Sequence, residues 1–282
     1  MTDIRLSVVV SADGSKVAAV DFYDALIYTS TNSGISWASN AIPNLSNASS
    51  FGIARAVCCS ADGTMLVVGT LGGTIFTSTN SGIDWTATDA PITNWASVAS
   101  SADGSKLAAA GAGGIYTSID SGATWMLQTN APIEDWYSIA SSVDGSKLVA
   151  VSGGDEPGGG EPGPICTSSD FGVTWTTNSA PNTFWYAVTL SADGCKKAAV
   201  VCGGGIYIWQ YSPILSVALG GGNVVVSWPT NAANFVLQQN LDLSATNWVT
   251  LTNAPTLNLS SLQNQLFLSP SNNSGFFRLI SQ

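Results

Sequence analysis

Three groups of side chains in this 282-residue sequence have types and spacings that could support chemistry or binding. The segment 153–162 reads Gly-Gly-Asp-Glu-Pro-Gly-Gly-Gly-Glu-Pro and sets Asp155, Glu156 and Glu161 on a flexible backbone. Three such carboxylates offer the oxygen ligands that Ca2+ takes, although their spacing matches no recognised calcium loop, and a solvated loop is the competing reading. A second group, Asp21-Phe22-Tyr23-Asp24, stands alone in the chain and makes Asp21, Tyr23 and Asp24 ligand-binding candidates. The third is a recurring aromatic: Trp95, Trp136 and Trp185, with Phe51 at the matching place in a longer segment. Rings beside the neutral polar Asn94, Asn182 and Thr183 suit the apolar C–H faces of sugars; recurrence at a fixed offset equally suits a wedge between repeated structural units. A glycoside hydrolase would need two carboxylates about 5–10 Å apart. Asp21, Asp24, Asp89, Glu134, Asp135, Asp155 and Glu156 are available, but no spacing singles out a pair, and no catalytic residue is assigned.

Composition narrows the chemistry. Histidine is absent, which removes the usual general base and the commonest transition-metal ligand, and with them any Ser-His-Asp triad. The net charge of −10 leaves no basic patch for nucleic acid or an anionic membrane. Charged residues make up 9%, against about 25% in an average soluble domain, and Ser, Thr, Asn and Gly take the surface role. No apolar run approaches the roughly 18 residues of a spanning helix. The cysteines, Cys58, Cys59, Cys166, Cys195 and Cys202, are odd in number and lack metal-type spacing, so they read as small buried residues with free thiols.

The elements that must position these groups are announced by a repeat. An Asp-Gly turn recurs at Asp13, Asp62, Asp103, Asp144 and Asp193, four times within Ser-Ala-Asp-Gly, at spacings of 49, 41, 41 and 49 residues. Each turn is followed by a short run rich in Ala and Val, then by a strand signal at Ile27, Ile75, Ile115, Ile165 or Ile206, then in four copies by a Trp-bearing strand at Trp37, Trp85, Trp125 or Trp175. Four short strands every 40–50 residues is the period of a propeller blade. Small apolar residues on the inner strands let neighbouring sheets approach closely. Only four Trp-bearing strands serve five units, so about five blades are expected, the last incomplete, with an open edge for the C-terminal domain to cover or for self-association with another copy.

Residues 118–125, Ser-Ile-Asp-Ser-Gly-Ala-Thr-Trp, and 168–175, Ser-Ser-Asp-Phe-Gly-Val-Thr-Trp, resemble the Asp-box of sialidases, xyloglucanases, sortilin-type receptors and photosystem II assembly factors. The first two copies depart from it, with Asn32 and Asn80 for Asp and Ser36 and Asp84 for Thr. The resemblance implies a β-propeller over residues 1–211 in which Asn32, Asn80, Asp120 and Asp170, with Trp37, Trp85, Trp125 and Trp175, are folding elements away from any active site. It implies ligands on the face formed by loops entering first strands and loops joining second to third strands. A sialidase would carry three arginines on that face; residues 1–211 hold only Arg5 and Arg55.

Residues 213–282 break the repeat and present seven short strand signals in about 70 residues, the pattern of a small antiparallel β-sandwich. Ser227-Trp228-Pro229, Phe235-Val236-Leu237-Gln238 and Phe276-Phe277-Arg278-Leu279 resemble a fibronectin-like module at the C-terminus of predicted secreted bacterial proteins, which implies a spacer or anchor. The chain is therefore expected to be all-β and to act as a non-catalytic extracellular or cell-surface binding protein for a glycan or protein. A glycoside hydrolase and a self-assembling surface protein are the alternatives. No cofactor is expected apart from the Ca2+ considered above. Residues 1–5 lack the regions of a secretory signal, so the compartment rests on the resemblance.

Overall fold

In the computed structural model the described residues are 6–21, 26–41, 53–154, 161–210, 215–229, 235–242, 244, 246–258, 263–269 and 275–281. All regular elements among them are strands, and the chain divides into two compact units, Met1–Trp209 and Gln210–Gln282.

The first unit holds five antiparallel sheets, each with its strands in sequence order. Blade 1 comprises Leu6–Val10, Val17–Asp21, Leu26–Ser30 and Ala38–Ala41, and blade 2 comprises Ile53–Cys59, Leu66–Leu71, Ile75–Ser78 and Thr86–Ala87. Blade 3 is Trp95–Ser100, Leu107–Gly111, Gly114–Ser118 and Met126–Leu127; blade 4 is Trp136–Ser141, Leu148–Ser152, Ile165–Ser168 and Thr176–Thr177. Among the described residues blade 5 has three strands, Trp185–Leu190, Lys196–Val201 and Ile206–Gln210, in keeping with the missing fourth Trp. The blades pack face to face in series, so their middle strands are buried on both sides: Leu107–Gly111 and Leu148–Ser152 are buried throughout. Small side chains make this close approach feasible, and Gly69 of blade 2 is one such place, where an added Cβ would sit 3.0 Å from the Trp95 Cβ of blade 3.

Local turn chemistry fixes each blade. Ser11 Oγ donates to Asp13 Oδ1 at 2.6 Å, and Ser15 donates to the same carboxylate through its amide and hydroxyl. The same arrangement recurs at Asp62, Asp103 and Asp144. The hydroxyls of Ser11, Ser60 and Ser101, followed by bonds from Ser15, Thr64 and Ser105, hold Asp13, Asp62 and Asp103 down at about 2.

In the second turn Ser33, Ser81, Ser121 and Phe171 adopt positive φ before a glycine that does the same. Asp120 Oδ1 accepts from the Thr124 amide while Thr124 Oγ1 donates to Oδ2 at 2.6 Å; Asp170 and Thr174 repeat this. In the first two copies the polarity is reversed, since Asn32 Nδ2 donates to Ser36 Oγ and Asn80 Nδ2 donates to Asp84 Oδ2. The paired departures in sequence thus preserve one hydrogen bond by exchanging donor and acceptor. The tryptophans stand one residue before the fourth strand rather than at its centre, and the indole N–H of Trp37, Trp85 and Trp175 donates to the carbonyl of the turn glycine at 2.9–3.0 Å.

The second unit carries seven strands in two sheets. One contains Ser216–Gly220, Asn223–Pro229, Thr256–Asn258 and Gln263–Leu268, and the other Phe235–Asn240, Val249–Thr250 and Phe276–Ser281. Val226, Trp228 and Leu266 from one sheet share a core with Leu237 from the other.

Candidate functional site

The recurring tryptophans are wedges. Trp95, Trp136 and Trp185 are at most 2% exposed and lie in the cores that join consecutive blades. A ring with no exposed face cannot stack on a sugar, so the expectation that these three form a carbohydrate platform is corrected. Their burial leaves each indole N–H without an acceptor. The apolar area of a Trp, 150–250 Å2 when buried on average, outweighs an unmet donor costing about 1–3 kcal/mol. The matching position in blade 2 is Ala54, not Phe51: Ala54 pairs with Thr70 where Trp95 pairs with Gly111 and Trp136 with Ser152. Phe51 itself, with Tyr23 and Asp24, lies outside the described residues. Asp21 ends the second strand of blade 1 and is half-buried. Of the three carboxylates considered for Ca2+, Asp155 and Glu156 lie outside the described residues and Glu161 is exposed. Among the described residues no three His, Cys, Asp or Glu side chains come together in a metal-binding group.

What the wedges do is aim their neighbours. Immediately after the wedge position the first strand of blades 2 to 5 carries a register shift, between Ala54 and Ala56, between Trp95 and Ser97, between Trp136 and Ser138, and between Trp185 and Ala187. A bulge inserts one unpaired residue and redirects its side chain. The four residues so placed are Arg55, Ala96, Tyr137 and Tyr186. Three of them meet: the Arg55 guanidinium carbon is 5.1 Å from the centroid of the Tyr137 ring, and the Tyr137 and Tyr186 rings are 5.3 Å apart. Arg55 belongs to blade 2 and Tyr137 to blade 4, so the contact skips blade 3, which contributes only Ala96. Arg55 thus reaches past the small Ala96 of blade 3 to meet Tyr137.

The surrounding backbone holds the cluster in place. Gly154, at φ +64°, leaves no room for a side chain, because a Cβ there would lie 2.8 Å from the Tyr137 ring. Its amide donates to the Trp185 carbonyl at 3.1 Å, and Gly163 exchanges backbone hydrogen bonds with Thr183. Both ends of the 153–162 insertion are thus strapped to the segment that carries Tyr186. Tyr186 is 40% exposed, while Arg55 and Tyr137 are half-buried. On the loops that enter the same first strands, Ile92 and Ile133 are exposed. The site therefore offers a guanidinium fork and two partly open phenol rings.

At the opposite end of the first strands, the five Asp-Gly turns converge. Ala12, Ala61, Ala102, Val143 and Ala192 line a shallow depression of about 270 Å3 with adjacent serines. The carboxylates there are committed to their turns, and no acid–base pair is formed from them.

Comparison with known proteins places this architecture among β-propellers. No family model matches the sequence, and no curated protein matches it. Solved structures do match. A structure described as YCF48 bound to D1 peptide aligns with a TM-score of 0.52 at 16% identity, covering 83% of this chain and 76% of that one. The GH74 xyloglucanase from Xanthomonas campestris aligns with a TM-score of 0.52 at 13% identity, covering 91% of this chain and 39% of the enzyme, so this chain spans well under half of that protein. The β-propeller domain of Myceliophteria thermophila Cps50 (Swd1) aligns with a TM-score of 0.51 at 15% identity, covering 70% of this chain and 67% of that one. At these identities the likeness defines the fold, an all-β propeller, and the fold hosts both binding proteins and glycoside hydrolases.

Proposed function

We propose that the chain is a non-catalytic binding propeller that receives a segment of a protein or peptide at the axial mouth marked by Arg55, Tyr137 and Tyr186. The observation that carries this reading is the meeting of Arg55 of blade 2 and Tyr137 of blade 4 at 5.1 Å, which the packing of consecutive blades does not require. Arg and Tyr are the residue types that dominate protein recognition: the rings give rigid contact area and the guanidinium binds a carboxylate in a forked geometry. The exposed Ile92 and Ile133 supply apolar contacts of the kind a polypeptide offers and a sugar does not. A glycan reading loses its main support with the burial of Trp95, Trp136 and Trp185. In this proposal the protein works outside the cell or at its surface, and the Gln210–Gln282 unit is a fibronectin-like spacer or anchor.

The test is a peptide array probed with the full chain, followed by calorimetry of the best peptide against Arg55→Ala, Tyr137→Ala and wild type. Peptides rich in acidic and apolar residues are expected to bind, and each variant should weaken binding at least tenfold without shifting the unfolding midpoint. Binding unchanged in both variants, or selective binding to a glycan array instead, would refute the assignment.

A further inference from the structure

The four interfaces between consecutive blades follow one rule. The backbone N–H at the second residue of each Ser-Ala-Asp-Gly or Ser-Val-Asp-Gly turn donates to the carbonyl of the same residue in the next blade. Ala12 donates to Ala61, Ala61 to Ala102, Ala102 to Val143, and Val143 to Ala192, all at 2.7–2.8 Å. The turn glycine of each next blade sits on the side chain that follows the turn in the blade before it. Gly63 sits on Lys16, Gly104 on Met65, Gly145 on Lys106 and Gly194 on Lys147. Lys106 Nζ and Lys147 Nζ also donate to the Asp144 and Asp193 carbonyls across these joints. Further out, Gly82, Gly122 and Gly172 rest on the methyls of Thr29, Thr77 and Thr117 of the preceding blade.

At the two ends of the series both halves of this interface are uncovered. Among the described residues no strand of blade 5 packs on blade 1 as consecutive blades pack on one another. On blade 5, Ile206 is 73% exposed, whereas its equivalents Ile27, Ile75, Ile115 and Ile165 are all 0% exposed. Ile208 occupies the place of the methyl-bearing Thr29, Thr77 and Thr117 and is also exposed, as is Lys196, the equivalent of Lys106 and Lys147. On blade 1, Trp37 is 48% exposed where Trp85 and Trp125 are 8% and 9%, Val8 is exposed where its counterpart Val57 is buried, and Val10 is exposed where Cys59 is half-buried. Nothing lies within 4 Å of the position a Cβ would take at Gly14. Among the described residues the Ala192 amide finds no backbone acceptor and the Ala12 carbonyl no backbone donor.

We propose that these two faces bind each other between copies of this chain, blade 5 of one copy against blade 1 of the next. The occupant is argued from the interface already present four times within the molecule, of which the free faces are the two complementary halves. Ala192 N–H would donate to the partner copy's Ala12 carbonyl, Lys196 would reach its Asp13 carbonyl, and Ile208 would seat its Gly34. Such a contact is heterologous, so copies join head to tail and continue until a ring closes or a filament grows. This proposal is independent of the axial binding site.

The test uses the full chain in sedimentation velocity over a wide concentration range. The wild type should associate beyond a dimer as concentration rises. Val8→Asp blocks the blade 1 face and Ile208→Asp the blade 5 face, and each variant alone should stay monomeric. An equimolar mixture of the two retains one good face of each kind and should form a 1:1 pair and nothing larger. If either variant fails to fold by circular dichroism, Val10→Asp and Lys196→Glu replace them on the same two faces. A wild type that is monomeric throughout, association that survives in the single variants, or a mixture that stays monomeric would overturn the proposal.

Discussion

Replacing Trp136 with alanine separates a wedge from a ligand platform. The side chain is 2% exposed and packs among Ala108, Ala110, Ile115, Ile139, Leu148 and Trp175 at the joint between blades 3 and 4. Truncating a buried aromatic to alanine costs about 3–5 kcal/mol through lost transfer energy and the cavity left behind. Part of this is returned, because the variant no longer buries an unsatisfied indole N–H, whose penalty is about 1–3 kcal/mol. Taking the middle of both ranges, a net loss of about 2 kcal/mol follows. Trp37 is the internal control: it is 48% exposed and its N–H is bonded to the Gly34 carbonyl at 3.0 Å. With little cavity to open, Trp37→Ala should cost about 1 kcal/mol, chiefly a net hydrogen bond and partial burial. The assay is urea unfolding followed by circular dichroism, comparing midpoints at equal slope. Equal losses in the two variants, or a loss below about 1 kcal/mol for Trp136→Ala, would refute the assignment of the wedge.

Stability should respond to acid through the turn aspartates. Asp13, Asp62, Asp103 and Asp120 sit at about 2 in the folded chain against an ordinary 3.8, Asp120 chiefly through the Thr124 hydroxyl. A carboxyl with a depressed folded pKa contributes stability that is complete above its unfolded value and is lost as pH falls toward its folded value. The melting temperature should therefore hold down to about pH 4 and drop between about pH 4 and 2, and Asp120→Asn with Thr124→Ser should flatten part of that drop. Cys58 and Cys166 are buried and their thiols are pushed upward by burial, so a thiol reagent should modify them in the native chain far more slowly than in urea. Gly82→Val should lower the urea midpoint strongly, because φ is +86° and a Cβ there would lie 2.7 Å from the Thr29 methyl.

Much of the fold was legible because its determinants are local. An Asp-Gly turn with a serine two residues before the Asp closes on itself, so five copies at blade spacing define five first hairpins without knowledge of the tertiary contacts. The strands of the second unit are legible too, most of them as short segments with Val, Leu, Ile or Phe between Gly, Pro, Asn or Ser. The recurring tryptophans stand just before the fourth strands and not within them, and in three of the four copies, Trp37, Trp85 and Trp175, the indole serves the turn glycine. The axial cluster was not read at all. Arg55, Tyr137 and Tyr186 follow the wedge position directly, but only a register shift makes that position unpaired, and alternation in sequence does not display a bulge. A partial signal exists for two of the three: Tyr137 and Tyr186 directly follow a Trp that recurs at blade spacing, whereas Arg55 follows Ala54. The incomplete last blade is legible from the missing fourth Trp, but the exposure of Ile206 is not, since it occupies the same place in its blade as four fully buried isoleucines.

The central claim is that ligand enters at the axial mouth beside Tyr186 and not at the turn face on the opposite end of the blades. A photoreactive benzoylphenylalanine can be placed at position 186 and, as a control, at Ile83, which is exposed within the second turn of blade 2. Irradiation with the best-binding peptide should cross-link it at position 186 and leave position 83 unreacted. Cross-linking at position 83 alone, or equally at both, would contradict the account.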